Sequence, residues 1–231
     1  KRLKDAGSIK QHNNLVGLTL GTGFGCGIVL NNFMLLGDNS TGAEIYNTLN
    51  KFNPEWNAEE SVSTRAIQRV YAQQTGQSFN ADLMPKDIYT IAKGSAPGNR
   101  DAAQEAFRSY GENLGSSLAN VLSLIDGLAV LGGGITAAWD LFAPAMFTEL
   151  NRRYKDFKGA ESPRLPFRVF NLEDEAVFEE FAIGKTKELI IPESKKLIPF
   201  DSMPRTGVGI SHLGASTAVA FGAYAFAVSR L

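Results

Sequence analysis

Apolar residues near the start of the chain form short runs separated by turn residues, a pattern that predicts strands. Residues 15–20 and 26–30 are two such runs, and each is typical of a buried strand. Asn31-Asn32 suits a two-residue turn because asparagine tolerates positive φ, and it leads into a third short run at 33–36. The sequence therefore predicts a three-stranded antiparallel meander.

Beyond residue 60 the apolar residues recur every three or four positions, which indicates helices, and short strands interrupt them. The predicted order is helices at 61–74, 85–94 and 99–124, a strand at 128–131, a helix around 139–147, a strand at 167–172 and a helix at 173–182. Strands that come first in antiparallel order and then alternate with helices predict an α/β fold. We expect a mixed sheet with flanking helices.

The final part of the chain carries weaker patterns. Residues 188–191 and 196–198 are predicted to form a hairpin, and residues 199–212, which hold proline and glycine, are predicted to form a loop. Residues 213–228 are predicted to form a helix whose alanine and glycine faces suit close packing against another element.

Glycine occupies alternate positions between the first two strands, from Gly21 to Gly27, and Thr22 and Phe24 are the main side chains among them. A backbone without Cβ atoms can approach a ligand closely and direct N–H groups at it, which suits a polyphosphate. The register differs from the dinucleotide-binding G-x-G-x-x-G pattern. The alternative is a tight hairpin whose glycines only relieve crowding.

A second glycine cluster, Gly132–Gly134, follows the strand at 128–131 and precedes a helix. Ligands of α/β folds bind at the ends of strands, where such a corner leaves the backbone exposed. Taken alone, the cluster is equally typical of an ordinary tight turn. Together the two clusters predict a grip on a nucleotide, with the first at the phosphates and the second beside the base and ribose.

Composition excludes several classes of protein. The 231 residues carry a net charge of −1, which argues against a nucleic-acid surface. Cys26 is the single cysteine, so neither an internal disulfide nor a cysteine-based zinc cluster is possible. No apolar stretch approaches the length of a membrane span. The sequence does not begin with methionine, and its first residues are typical of the end of a helix. We therefore expect the sequence to be a fragment.

Four motifs in order resemble the ROK family of sugar kinases and sugar-responsive repressors: LTLGTGFGCGIVLNN, GAEI, VLGGGI and LGAS. The resemblance implies the ribonuclease H-like, actin-like ATPase fold that hexokinase and Hsp70 share. It covers essentially the whole chain, and it implies that residues 1–231 are the C-terminal lobe of such a protein, with the N-terminal lobe absent. The final helix, 213–228, would then pack as the connecting helix.

The same resemblance implies which residues contact the nucleotide. LGTGFG matches the family's second phosphate motif and VLGGGI matches its adenosine motif. ATP and Mg²⁺ are the implied cofactors. The implied nucleotide-binding residues are Gly21, Thr22, Gly23, Phe24, Gly132, Gly133 and Gly134.

The family's sugar-contacting stretch reads G-E-I-G-H, and here it is Ala43-Glu44-Ile45-Tyr46-Asn47. Glu44 matches the carboxylate that accepts hydrogen bonds from sugar hydroxyls. Asn47 stands in the place of a histidine that contacts sugar and binds zinc. The family's cysteine-rich zinc loop is absent as well, so we expect no zinc and no other metal site in the chain.

A second family pattern, E-x-x-x-S-G-R-A-I, is met from Glu59 to Ile67, with Thr64 in place of glycine. The match makes Glu59 a further candidate for sugar binding. Glu60 takes that role instead if the shortened loop shifts by one residue.

The implied reaction is transfer of the ATP γ-phosphoryl group to a hydroxyl of a hexose or N-acetylhexosamine. The family's catalytic aspartate belongs to an Asn-Asp pair that this chain lacks, so no catalytic residue is assigned here and the chain alone is expected not to turn over. Two alternatives stay open: the sugar-sensing domain of a repressor without kinase activity, and a degenerate binding protein. We further expect a cytoplasmic protein, no contact with nucleic acid or membrane, and a possible homodimer.

Overall fold

The computed structural model describes residues 2–228, except for the side chains of residues 215 and 216. The helices are α1 (Arg2–Asp5), α2 (Thr64–Thr75), α3 (Pro85–Ala92), α4 (Arg100–Ile125), α5 (Trp139–Leu150), α6 (Glu175–Ile183) and α7 (Ala215–Val228). The strands are β1 (Leu15–Leu20), β2 (Phe24–Leu30), β3 (Phe33–Met34), β4 (Leu128–Gly132), β5 (Arg153–Lys155), β6 (Glu161–Pro163), β7 (Arg168–Asn171), β8 (Thr186–Ile190), β9 (Leu197–Asp201) and β10 (Arg205–Ile210). The helices from α2 to α6 confirm those expected from the apolar spacing.

Six strands form one mixed sheet in the order β3-β2-β1-β4-β10-β7. The first three pair antiparallel, which confirms the predicted meander, and β4, β10 and β7 extend the sheet parallel to β1. The long helix α4 packs against α5 and α2, and its buried apolar side chains join those of β1 and β4 in one core. This mixed sheet with flanking helices is the predicted α/β fold.

The prediction of a loop over 199–212 is wrong, because β10 and the end of β9 occupy most of it, and β10 lies in the interior of the sheet between β4 and β7. Five of its six residues are buried, although only two of the six, Val208 and Ile210, carry apolar side chains. Two of the six are glycines, Gly207 and Gly209, and the side chain of Leu172 fills the space beside Gly207. A strand buried on both faces shows no alternation of apolar and polar positions, and glycine weakens the remaining signal.

Smaller differences concern the ends of elements. β2 begins at Phe24, two residues earlier than predicted, because Phe24 pairs with Leu20 and thereby shortens the glycine turn. β3 ends at Met34 rather than at residue 36. The hairpin of β8 and β9 is present but extends further than predicted. The proposed domain bounds, 1–231, reach residues outside those that the structure describes.

The last helix, α7, leaves much of its apolar surface exposed, including Val219, Phe221 and Tyr224. Gly222 and Ala225 face a groove that they share with the β2–β3 hairpin. Its predicted role as a connecting helix stays a prediction. Within residues 2–228, no helix combines the length and apolar character that crossing a membrane requires.

Candidate functional site

The parallel pairing of β1 with β4 brings the two glycine clusters together. Leu18 lies opposite Leu131 and Thr19 opposite Gly132, so both strands end at the same edge of the sheet. The carboxyl ends of parallel strands are the usual place for a ligand in an α/β fold. The glycine turn after β1 and the corner after β4 therefore open onto one surface.

A cavity of about 440 Å³ lies at this edge. The structure places most of the predicted nucleotide-binding residues on its wall, together with one predicted sugar-binding residue, Glu59. The lining residues are Thr19, Leu20, Gly21, Thr22, Gly23, Phe24, Gly25, Tyr46, Glu59, Gly133 and Gly134. Gly132 is not among them, because it is the last residue of β4 and lies beside Ser211 and Leu18.

The wall of the cavity requires glycine at Gly133. Its φ is +100°, and a Cβ atom there would lie 2.8 Å from the backbone nitrogen of Leu20, so the corner after β4 packs directly on the end of β1. At Gly21 and Gly134, by contrast, a Cβ atom would meet no atom within 4 Å. Their backbones therefore face open space, which leaves room for a ligand to approach them.

Two backbone N–H groups of the glycine turn are available to a ligand. Within the described residues, the N–H groups of Thr22 and Gly23 donate no hydrogen bond, whereas the N–H of Gly21 donates to the Gly23 carbonyl at 3.2 Å. Successive N–H groups in a turn form a concave surface that attracts anions. The turn therefore has the donors that a phosphate group needs.

Glu59 and the start of α2 hold the glycine turn in place. The Glu59 carboxylate accepts a hydrogen bond from Phe24 N–H at 2.9 Å, and the Thr64 N–H donates to the Gly21 carbonyl at 2.8 Å. Arg65 donates to Glu59 at 2.9 Å and to Glu60 at 2.6 Å. The hydrogen bond from Arg65 lowers the pKa of the Glu60 carboxyl, and these two carboxylates raise the pKa of Arg65.

The other two predicted sugar-binding residues, Glu44 and Asn47, are close in sequence to the lining residue Tyr46, but they do not line the cavity themselves. Both are exposed, and the Glu44 side chain makes no hydrogen bond within the described residues. Burial raises the pKa of the Cys26 thiol to about 11, and the Glu44 charge contributes to the rise. The sugar-binding roles of Glu44 and Asn47 stay predictions.

Four lining residues were not among the predicted site residues: Thr19, Leu20 and Gly25, which flank the glycine turn, and Tyr46, which comes from a separate segment. Tyr46 is the one far from the predicted glycine clusters in the chain. It is 37% exposed and stands at the second glycine of the family's G-E-I-G-H stretch. A tyrosine in place of a glycine was the signal that could have pointed to it. Within residues 2–228, no three His, Cys, Asp or Glu side chains come together in a way that could hold a metal ion.

The solved structures similar to this chain include a glucokinase from Parabacteroides distasonis. It is 40% identical, has a TM-score of 0.89, and is matched over 100% of this chain and 62% of its own. A ROK family glucokinase from Streptomyces griseus, solved in complex with glucose and AMPPNP, is 23% identical with a TM-score of 0.51, over 62% of this chain and 53% of its own. The second similarity concerns the fold alone.

Two curated relatives have different functions. A glucokinase from Thermotoga maritima is 27% identical over 153 residues, 60% of this chain and 48% of the relative. A xylose repressor from Bacillus subtilis is 25% identical over 166 residues, 69% of this chain and 41% of the relative. The chain thus spans about half the length of the curated relatives that it matches, or less. The family model described as "ROK family" matches residues 4–166, and the chain therefore belongs to the ROK family.

Proposed function

We propose that this chain is the C-terminal lobe of an ATP-dependent hexose kinase that resembles glucokinase. The observation that carries the proposal is the meeting of the two glycine clusters around one cavity, where the N–H groups of Thr22 and Gly23 have no acceptor among residues 2–228. The 40% identity to a glucokinase over the whole chain supports the same function.

Backbone atoms of this chain would hold the nucleotide. The N–H groups of Thr22 and Gly23 would donate to phosphate oxygens, and Gly133 and Gly134 would border the ribose and base. The open space at Gly21 and Gly134 fits a ligand held against bare backbone. ATP bound with Mg²⁺ supplies the phosphoryl group, and catalysis by the protein is then mainly positioning and charge stabilisation.

The sugar would bind beside the turn, with Glu44 as the principal acceptor of its hydroxyl groups. The Glu44 carboxylate is exposed and free of protein partners within the described residues, so its acceptor sites remain available. Asn47 and Glu59 are the further sugar contacts that we propose. The substrate class is a hexose or an N-acetylhexosamine, and the 40% identity to the P. distasonis glucokinase makes glucose the first candidate.

The remaining parts of the active site belong to the N-terminal lobe. The chain covers 62% of the P. distasonis glucokinase, and no residue of the cavity wall is assigned as the catalytic base. We propose that the missing lobe supplies that base and the opposing phosphate contacts, so residues 1–231 alone do not turn over. The same proposal includes a cytoplasmic location, where ATP is available, and a homodimer.

Calorimetric titration of the complete two-lobed protein tests the proposal. We expect it to bind ATP with Mg²⁺ and to bind one hexose from a panel of glucose, mannose, fructose and N-acetylglucosamine. A protein that binds no nucleotide under these conditions contradicts a kinase function.

The second candidate function is that of a sugar-responsive repressor, which the similarity to the B. subtilis xylose repressor favours. A repressor of this kind would carry a DNA-binding segment upstream of residue 1. The same titration separates the two functions, because a repressor binds a sugar and needs no ATP. A degenerate sugar-binding protein gives that result too, and a DNA-binding assay then distinguishes it from the repressor.

A further inference from the structure

Glu59 lies where the proposed nucleotide site and the proposed sugar site meet. Its match to the family pattern makes it a sugar contact, yet its carboxylate lies on the wall of the cavity that the glycine turn forms. We propose that Glu59 is a positioning residue that fixes the glycine turn in its phosphate-binding conformation. The inference rests on the proposed function, and it adds a role in nucleotide binding that is independent of sugar.

The contact of Glu59 with the turn is close. One carboxylate oxygen, Oε2, accepts from Phe24 N–H at 2.9 Å. The same oxygen lies 2.8 Å from the place where a Cβ atom of Gly23 would be. The carboxylate therefore occupies the space that a side chain at Gly23 would need, and it directs its hydrogen bond at the residue that follows the two free N–H groups.

The carboxylate is itself held in place from the other side. Its second oxygen, Oε1, accepts from Arg65 Nη2 at 2.9 Å, and Arg65 is in turn held by three contacts to Glu60. Arg69 Nη1 lies 3.6 Å from Glu60 Oε2, and the Arg69 guanidinium carbon lies 4.4 Å from the centre of the Trp56 ring. This chain of charge-assisted contacts restricts the orientation of Glu59, since hydrogen bonds between ionised groups are strong and directional.

The turn is consequently fixed at both ends by one segment of the chain. Glu59 holds Phe24 N–H, and the Thr64 N–H holds the Gly21 carbonyl at 2.8 Å. Between these two anchors lie Thr22 and Gly23, whose N–H groups donate no hydrogen bond in the part of the chain that the structure describes. Preorganised donors cost no rearrangement when an anion arrives, which is how a rigid turn raises affinity.

Charge alone predicts the opposite effect of Glu59. A carboxylate beside a phosphate site repels the ligand, so its removal would strengthen nucleotide binding if electrostatics decided the outcome. Arg65 offsets that charge, because its guanidinium contacts both Glu59 and Glu60. The two effects of Glu59 have opposite signs, and the direction of change in ATP affinity therefore distinguishes positioning from repulsion.

The experiment measures the affinity of the complete protein for ATP with Mg²⁺ in the absence of sugar. We expect Glu59→Ala to weaken binding at least about tenfold, because the turn loses a charge-assisted hydrogen bond. Glu59→Gln should bind within about threefold of wild type, since its amide oxygen can still accept from Phe24 N–H while Arg65 stays paired with Glu60. Glu105→Gln is the matched control and should leave ATP affinity unchanged, because it removes a carboxylate that pairs with an arginine, Arg108, away from the cavity wall.

A steady-state measurement gives the same distinction during turnover. Glu59→Ala should raise the KM for ATP, whereas Glu59→Gln should restore it. If Glu59→Ala does not fold, Glu59→Met keeps the length of the side chain without its acceptors and is expected to show the same loss. Circular dichroism of each variant reports on folding.

Unchanged or tighter ATP binding by folded Glu59→Ala or Glu59→Met overturns the inference, and it leaves the proposed function standing if wild type binds ATP. A tenfold loss in Glu59→Gln also overturns it, because that variant keeps an acceptor for Phe24 N–H and the hydrogen bond would then not be what sustains affinity. A wild-type protein that binds no ATP overturns the proposed function and this inference with it.

Discussion

Ala43 adopts a backbone conformation that alanine avoids. It precedes the proposed sugar-binding Glu44 and has a φ of +68°. The left-handed region costs a residue with a Cβ atom roughly 1–2 kcal/mol, whereas the greater entropy of glycine in the unfolded chain costs about 0.4–1 kcal/mol. The first cost exceeds the second, so strain is stored directly before Glu44.

We therefore expect Ala43→Gly to raise the free energy of unfolding by about 0.5–1 kcal/mol, measured by urea denaturation. Ala176→Gly is the matched control: Ala176 is exposed in α6, where the same change should lower stability by about 0.5–1 kcal/mol. Destabilisation by both substitutions would contradict the strain at Ala43.

His12 makes stability depend on pH in the acid range. Its ring stacks on Phe181 with centroids 5.6 Å apart, and burial, reinforced by the charges of Lys10 and Arg205, lowers its pKa to about 4. Between pH 6.5 and 4 the unfolded chain binds a proton at this histidine that the folded chain does not bind. Stability is therefore lost as the pH falls through this window.

After allowance for solvent screening, we expect His12 to reduce the free energy of unfolding by about 1–2 kcal/mol between pH 7 and pH 4. Carboxylates titrate in the same window, so the measurement compares urea denaturation of wild type with that of His12→Gln at both pH values. The variant should lose less stability on acidification than wild type. Equal losses would show that His12 is not the responsible group.

At the scale of single residues, the sequence predicted most residues of the candidate site but not the contacts between them. Gly21–Phe24, Gly133, Gly134 and Glu59 line one cavity. The bond from Phe24 N–H to Glu59 was not predictable, because it joins residues 35 positions apart and depends on the packing of the segment before α2. The only sequence signal for Tyr46 is its place at a glycine of the family's G-E-I-G-H stretch, and a single substitution does not show which way the side chain faces.

The corner between β4 and α5 depends on one of its glycines far more than on the other. A Cβ atom at Gly133 would collide with the Leu20 backbone at a φ of +100°, whereas Gly134 has open space around it. We expect Gly133→Ala to lower the free energy of unfolding by at least about 2 kcal/mol, since backbone atoms cannot move aside as a side chain can. Thermal and urea denaturation measure the loss.

Gly134→Ala is the control in the same corner, with an expected change of no more than about 0.5 kcal/mol. Similar stabilities for the two variants would mean that the corner does not pack on the end of β1 as described.

Elements with a clear apolar spacing were predictable, and those without one were not. In α4 the large apolar side chains recur every three or four residues and are buried, as at Phe107, Tyr110 and Leu114, so the helical spacing is visible in the sequence. The glycines of the buried strand β10 leave few apolar side chains, so its sequence predicts a loop where the structure has a strand. The short strands β5 and β6 are exposed and have no apolar period either, so no pattern indicated them.

At the scale of the whole molecule, α7 is a helix whose apolar surface is largely exposed. Val219 and Tyr224 are 72% and 71% exposed although the helix carries no charged residue. Helices that are apolar on all sides are usually buried in the folded protein. We expect the chain alone to bind a hydrophobic dye such as ANS, and the complete protein to bind much less of it because the N-terminal lobe covers α7. Equal dye binding would contradict the role of α7 as a connecting helix.

The family and the fold were predictable from the sequence because the glycine motifs recur in a fixed order along the chain. The strand order of the sheet was not, since a parallel pair such as β1 and β4 joins segments more than 100 residues apart. That pairing is what brings the two glycine clusters to one cavity, and the kinase proposal depends on it.

Transfer of the γ-phosphoryl group from ATP to glucose tests the kinase proposal most directly. The complete protein, incubated with Mg²⁺ and labelled ATP, is predicted to form a phosphorylated hexose only when the sugar is present. Residues 1–231 alone are predicted to form none. Sugar binding by the complete protein without any phosphoryl transfer to the hexoses tested, or phosphorylation of glucose by residues 1–231 alone, would contradict the account.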